Sequence, residues 1–281
     1  MKIVHLACLA IAFLALPLHA VSPEKTTQLL IEAKEPVRIV CIGDSITGVY
    51  YHSGGMRAYP EMLQIALQKL HPKAKVTVRN AGLSGDTSKG GLARLERDVL
   101  AQKPHLVTIM FGMNDLVRVP VADFIANMRQ IIQRCRAAGA EVVLCTQNSI
   151  VDSPQRPMAK LAEYSQAIRD LAKAESLGVA DCFAAFEVVR ARDALEWNLL
   201  LSDAIHPNMD GHKLFAETIA KTITGQATSL RDEPPPPNPL AHTFKLLSEG
   251  KPVTVFAMPP YDQHIGVALT KLHPEAQITV K

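Results

Sequence analysis

The sequence predicts an α/β protein, a three-layer α/β/α sandwich with a mainly parallel central sheet. Two observations point there. Short β-branched runs alternate with longer runs whose apolar residues recur at spacings of three and four, the order of repeated β-α units. The chain has 281 residues, 48% of them hydrophobic and 20% charged, which supplies one full globular core with a remainder and excludes a disordered chain.

Taken in order, the first strand is Val37 to Ile42, a β-branched run, followed by a helical pattern from about Arg57 to Leu70. Further strands are expected at Lys75 to Val78, Leu106 to Phe111, Glu141 to Cys145 and Val179 to Asp181. Between them Gly91 to Leu100, Val121 to Ala138 and Met158 to Leu177 carry apolar residues at helical spacing. A last helix from Asn208 to Thr222 is announced by His206-Pro207, because proline suits a first helical turn, where its missing N–H costs nothing.

The formal net charge of +3 implies no nucleic-acid partner. Lys2 is followed by an apolar run from Ile3 to Leu18 that ends at Leu18-His19-Ala20. The run is shorter than the roughly 20 residues a membrane span needs, so residues 1–20 read as a secretory signal peptide and the protein as secreted or periplasmic. Of five cysteines, Cys41, Cys135, Cys145 and Cys182 lie beyond that segment. Cys41 and Cys145 sit inside apolar strand runs and read as buried hydrophobes. No CxxC pair or His/Cys cluster has zinc spacing, so no metal site is expected.

The domain is expected over 35–225, followed by a stiff linker over 226–241 that contains Pro234-Pro235-Pro236-Pro237. Residues 242–281 then repeat its opening. Lys271 to Val280 matches Lys69 to Val78 at seven of ten positions, and Lys251-Pro252-Val253-Thr254-Val255 resembles Glu35-Pro36-Val37-Arg38-Ile39. The tail therefore reads as a degenerate partial copy of the first β-α-β unit. It carries Pro259-Pro260-Tyr261 where the domain has Gly43-Asp44-Ser45.

In a parallel sheet of this kind ligands bind beyond the carboxyl ends of the strands. Ser45 follows the first strand, Gly82 the second, and Asn114 with Asp115 the third. Each has an ordinary reading of its own. Ser45 suits a helix N-cap, Asp203 a helix-entry cap, His206 a surface position, and Asn114 a loop amide. Asp44 and Asp115 could be paired carboxylates of a glycosidase or metal site. Tyr50 to Gly55 reads equally as a pocket-lining loop or a flexible polar one.

Four blocks taken together resemble the SGNH or GDSL hydrolases over Val37 to about Thr222. They are Gly43-Asp44-Ser45, Asn80-Ala81-Gly82-Leu83-Ser84-Gly85, Gly112-Met113-Asn114-Asp115 and Asp203-Ala204-Ile205-His206-Pro207, each after an expected strand or before the last helix. The serine turn lacks the G-x-S-x-G pattern of the α/β-hydrolases. The resemblance implies a flavodoxin-like sheet and a serine esterase working through an acyl-enzyme without cofactor or metal. It implies Ser45 as nucleophile, His206 as acid–base and Asp203 as its orienting partner. It also implies an oxyanion hole from the Ser45 and Gly82 backbone N–H groups and the Asn114 amide. A small-molecule or carbohydrate ester is the implied substrate, with acetyl groups foremost. Lipid acyl ester or thioester hydrolysis, and a non-catalytic binding module of a larger surface protein, remain open, as does the oligomeric state.

Overall fold

A computed structural model describes residues 22–48, 57–236 and 240–281. The signal segment expected over 1–20, the whole Tyr50 to Gly55 loop with one residue on either side, and three residues of the proline stretch lie outside the described residues. The chain forms two compact units, one ending at Asp232 and one beginning at Glu233.

The first unit is built on a five-stranded parallel sheet: β1 (Val37–Gly43), β2 (Val76–Gly82), β3 (Leu106–Met110), β4 (Glu141–Cys145) and β5 (Gly178–Ala180). Their spatial order is β2-β1-β3-β4-β5. Around it lie α1 (Glu24–Glu32), α2 (Ser45–Gly48), α3 (Tyr59–Leu70), α4 (Ser88–Asp98), α5 (Asp115–Arg118), α6 (Val121–Ala137), α7 (Met158–Ala174), α8 (Cys182–Arg192), α9 (Ala194–Asn198) and α10 (Met209–Thr224). In β1 only Arg38 is exposed and β3 is buried throughout, as strands covered on both faces must be. This is the flavodoxin-like arrangement. The order reverses between β1 and β3, so the crevice beyond their carboxyl ends is the natural ligand site.

Several boundaries differ from the sequence expectation for identifiable reasons. β2 runs on to Gly82 past Arg79 and Asn80, pairing with β1 as far as Gly43↔Gly82. As an edge strand it alternates buried and exposed residues, so polar side chains do not end it. α4 starts three residues early, where the Thr87 hydroxyl accepts from Gly90 N–H. Pro207 does not open α10. The Asn208 side chain caps it, accepting from the N–H groups of Asp210 and Gly211 at 3.0 and 3.2 Å. α1 and α8 were not anticipated. The first-turn N–H groups of α1 at Lys25 and Thr26 bind the Glu141 carboxylate at 3.0 and 2.7 Å, a carboxylate at the positive end of a helix. The apolar residues of α8 do not fall on one stripe.

The cysteines Cys41, Cys135, Cys145 and Cys182 are free and buried. Burial pushes the thiols of Cys41 and Cys135 up to about 12, which leaves them unreactive. Leu230 is buried in the core of this unit and its N–H donates to Glu217 Oε1 at 2.5 Å. Residues up to Asp232 thus belong to the first unit.

The second unit comprises α11 (Ala241–Ser248), β6 (Val253–Val255), α12 (Asp262–Leu272) and β7 (Ile278–Val280). β6 and β7 pair in parallel, Val253↔Ile278, and β1 and β2 begin their pairing at Val37↔Val76. The helix ends also correspond: His71 N–H donates to Leu67 O and His273 N–H to Leu269 O, each at 2.8 Å.

Candidate active site

β1 ends in a tight turn in which the Asp44 carbonyl accepts from the N–H groups of Thr47 and Gly48, at 3.2 and 3.0 Å. Asp44 Oδ1 accepts from Ile46 N–H at 3.0 Å. The turn places Ser45 at the carboxyl edge of the sheet, almost fully buried. Ser45 Oγ lies 2.9 Å from His206 Nε2, and His206 Nδ1 lies 2.8 Å from Asp203 Oδ2. The other Asp203 oxygen accepts from the N–H groups of Ile205 and His206, both at 2.8 Å. Burial alone would raise the Asp203 pKa. The Ile205 and His206 N–H groups and the His206 ring outweigh it and hold the carboxyl below the usual range. An ionised Asp203 only accepts hydrogen bonds, so the ring proton sits on Nδ1 and Nε2 is left to accept from Ser45.

The three expected oxyanion donors come from β1, β2 and β3. The described residues offer no hydrogen-bond partner to the Ser45 N–H. Gly82 N–H donates to Asn80 Oδ1 at 3.0 Å, so an oxyanion there would have to share it. Gly82 is glycine for a reason of space, because a Cβ at this position would lie 2.3 Å from Gly48 N in the turn that carries Ser45. After β3 the chain turns through Gly112 at φ +136°, a conformation that side chains rarely adopt, and this brings Asn114 into the crevice. Asn114 Nδ2 donates to the Asp86 carbonyl at 3.0 Å. The structure thus gathers Ser45, Asp203 and His206 into one hydrogen-bonded chain, with Gly82 and Asn114 at the ends of the adjoining strands.

Four side chains that support this arrangement were missed from sequence. Arg94 is buried, pairs with Asp86 at 2.7 Å and donates to the Ala81 and Gly43 carbonyls at 2.6 and 3.0 Å. It ties the ends of β1 and β2 together, and a pair this buried is strongly destabilised when one partner is removed. Gln147 Nε2 donates to Asp44 Oδ2 at 3.3 Å. Asn148 Nδ2 donates to the Ile205 carbonyl at 3.1 Å, and Val151 N–H donates to the Ala204 carbonyl at 2.9 Å, so the segment after β4 braces the Asp203–His206 loop. Arg156, at the far end of that segment, donates to Asn114 Oδ1. One signal was available: Thr146-Gln147-Asn148-Ser149, four polar residues after an apolar strand, are all buried, and buried polar groups require partners.

Asp44 and Asp115 are not a carboxylate pair poised for chemistry. Asp115 Oδ1 accepts from the N–H and hydroxyl of Ser88 at 2.9 and 2.6 Å. Asp44 is fully buried, and burial, with Asp115 and Asp86 adding to it, pushes its pKa up to about 7 from an ordinary 3.8. The folded chain therefore keeps this proton at pH values where the unfolded chain loses it. The resulting stabilisation is complete below about pH 4 and lost as the pH rises through 7. It falls by on the order of 3 kcal/mol between pH 5 and pH 8. Asp44→Asn should remove this dependence, since Gln147 Oε1 is a buried acceptor without a partner among the described residues that a new amide can use. Urea unfolding at both pH values checks it. The variant should gain on the wild type from pH 5 to pH 8, and an equal difference at both would refute the assignment.

The model of the GDSL-like lipase/acylhydrolase family matches residues 41–214. An acetylxylan esterase of Geobacillus stearothermophilus is 30% identical over 212 residues, covering 66% of this chain and 93% of the relative. A thioesterase 1/protease 1/lysophospholipase L1 of Escherichia coli K12 is 31% identical over 187 residues, covering 66% and 82%. The crystal structure of the Geobacillus enzyme superposes with a TM-score of 0.58 at 28% identity, over 66% of this chain and 93% of that one. Its catalytic mutants include substitutions of a serine, an aspartate and a histidine, the last two three positions apart. The family match begins inside β1, ahead of Ser45, and ends in α10, beyond His206. The chain accordingly belongs to the GDSL-like lipase/acylhydrolase family and is a carboxylic ester hydrolase.

Proposed function

We propose that this protein is an exported serine esterase that removes small acyl groups, acetyl foremost, from carbohydrates. The observation that carries the catalytic part is the hydrogen-bonded chain Ser45–His206–Asp203, with the Asn114 amide in the adjoining crevice. Ser45 Oγ attacks the acyl carbon while His206 Nε2 takes its proton, and the imidazolium is stabilised by Asp203. The tetrahedral oxyanion is received by the Ser45 N–H, the Asn114 amide and, on release from Asn80, the Gly82 N–H. As the C–O bond breaks, His206 returns the proton to the leaving alcohol and the acyl group stays on Ser45. Water, deprotonated by His206, then attacks the acyl-enzyme and Ser45 leaves with the proton.

The choice of acetyl and carbohydrate is supported by the acetylxylan esterase, matched over nearly its whole length. The Escherichia coli relative favours a second reading, a lipid acyl ester or thioester as substrate. Export rests on the apolar segment Ile3 to Leu18. No helix among the described residues is long and apolar enough to cross a membrane. For residues 242–281 we propose a partial copy of the opening β-α-β unit, supported by the parallel pairing of β6 with β7 and the matching helix ends.

The test is hydrolysis of p-nitrophenyl acetate, butyrate and octanoate by the protein and by Ser45→Ala, followed by acetate release from acetylated xylan fragments. Ser45-dependent turnover that falls with acyl length, together with acetate release, is the expected result. Turnover that rises towards octanoate would select the lipid reading. No turnover above the Ser45→Ala control on any ester would overturn the catalytic assignment and leave a binding module.

A further inference from the structure

We propose that Arg156 is a positioning residue for this hydrolysis, one that acts through the Asn114 amide. The inference rests on the reading of Asn114 as an oxyanion donor. A carboxamide has two N–H donors and one carbonyl acceptor, and at Asn114 they can be followed individually. One N–H goes to the Asp86 carbonyl at 3.0 Å. The carbonyl oxygen accepts from Arg156 Nη2 at 3.3 Å. The remaining N–H is the one the oxyanion requires.

An amide held only at its nitrogen can be pivoted away from the geometry the oxyanion needs, and turned end for end it would present its carbonyl where the negative charge develops. The Asp86 carbonyl rejects the wrong end because two carbonyl oxygens repel. Arg156 rejects it from the other side, since a guanidinium can only donate. The guanidinium also straddles the neighbouring peptide, its Nε donating to the Met113 carbonyl at 3.4 Å. Its own backbone is fixed by Ser153, whose hydroxyl and carbonyl both accept from Arg156 N–H at 3.1 Å. The two side-chain bonds are long, so the consequence is orientation and polarisation of one amide rather than overall stability. A cation on the amide oxygen makes the N–H a stronger donor, and the effect appears where charge develops, in the transition state.

The experiment is a kinetic cycle on p-nitrophenyl acetate, run once Ser45-dependent turnover of the unaltered protein has been established, so that failure of the esterase reading shows before Arg156 is touched. Arg156→Gln in the wild type should lower kcat by about 10-fold to 30-fold with KM within about 2-fold, as loss of an interaction made only in the transition state does. Asn114→Ala alone should lower kcat by about 100-fold to 1,000-fold. In the Asn114→Ala background, Arg156→Gln should change kcat by less than about 2-fold, because the group it acts through has gone. Arg156→Lys keeps the charge and stem, so it reads the same coupling should the glutamine variant unfold. It should give a smaller loss that also vanishes in the Asn114→Ala background. Equal losses in both backgrounds, or an effect confined to KM, would overturn the proposal.

Discussion

Ser45→Ala and His206→Ala should each lower kcat for p-nitrophenyl acetate by roughly a millionfold, and the double variant should be no slower than either. The two groups lie 2.9 Å apart and, in the proposed mechanism, perform one step. Without His206 the serine proton has no acceptor, and without Ser45 the imidazole has no nucleophile to activate. Cys41, Cys135, Cys145 and Cys182 offer no substitute nucleophile, since all four are buried and burial pushes the thiols of Cys41 and Cys135 up to about 12. The residue of catalysis in the variants comes from the oxyanion donors alone. Single-turnover release of p-nitrophenol at enzyme excess measures it. Losses that multiply in the double variant, or a single-variant loss under a hundredfold, would show that another group carries the attack.

Asp203→Asn should lower kcat by about 10,000-fold while leaving the loop in place. The reason lies in how Asp203 is held. One of its oxygens accepts from the N–H groups of Ile205 and His206 at 2.8 Å each, and the other faces His206 Nδ1 at 2.8 Å. An amide introduced here must keep its oxygen on the two N–H groups, because its NH2 cannot donate to donors. The NH2 is then directed at Nδ1. The ring responds by moving its proton to Nε2, the nitrogen that has to accept from Ser45. Geometry is conserved and chemistry is blocked. Steady-state kinetics checks the rate, and urea unfolding checks that stability stays within about 1 kcal/mol, as expected where the cap is retained. A loss under tenfold would leave Asp203 as a loop cap only.

Much of the scaffold could be read along the chain because its determinants are local. A strand buried on both faces has to be a continuous apolar run, and β1, β3 and β4 are such runs. Amphipathic helices carry their period in the sequence, and α3, α6, α7 and α10 were found within a few residues. Edges and caps were read less well. β2 continues through Arg79 and Asn80 because it has a partner on one side only, and α10 begins at the Asn208 cap rather than at Pro207. Both depend on a neighbour that the local pattern does not reveal.

The same division holds for the site. Ser45, Gly82, Asn114, Asp203 and His206 could be named from sequence because each lies at a fixed offset from a strand end or helix start in a recognisable block. The strand order β2-β1-β3 brings the segments of Ser45, Gly82 and Asn114 to one edge, while Asp203 and His206 arrive on the loop before α10. The braces could not be named. Arg94 reaches Gly43 across 51 residues, Asn148 reaches Ile205 across 57, and Arg156 reaches Asn114 across 42. Their residue types, an arginine in a helix and polar residues in a loop, are those of an ordinary surface. Local propensity and short motifs were enough to read the element order and the family, and to nominate Ser45, His206 and Asp203 as the groups the proposed mechanism needs. What holds those groups in register emerges on folding, because a hydrogen bond between distant segments exists only once the sheet has brought its strand ends together.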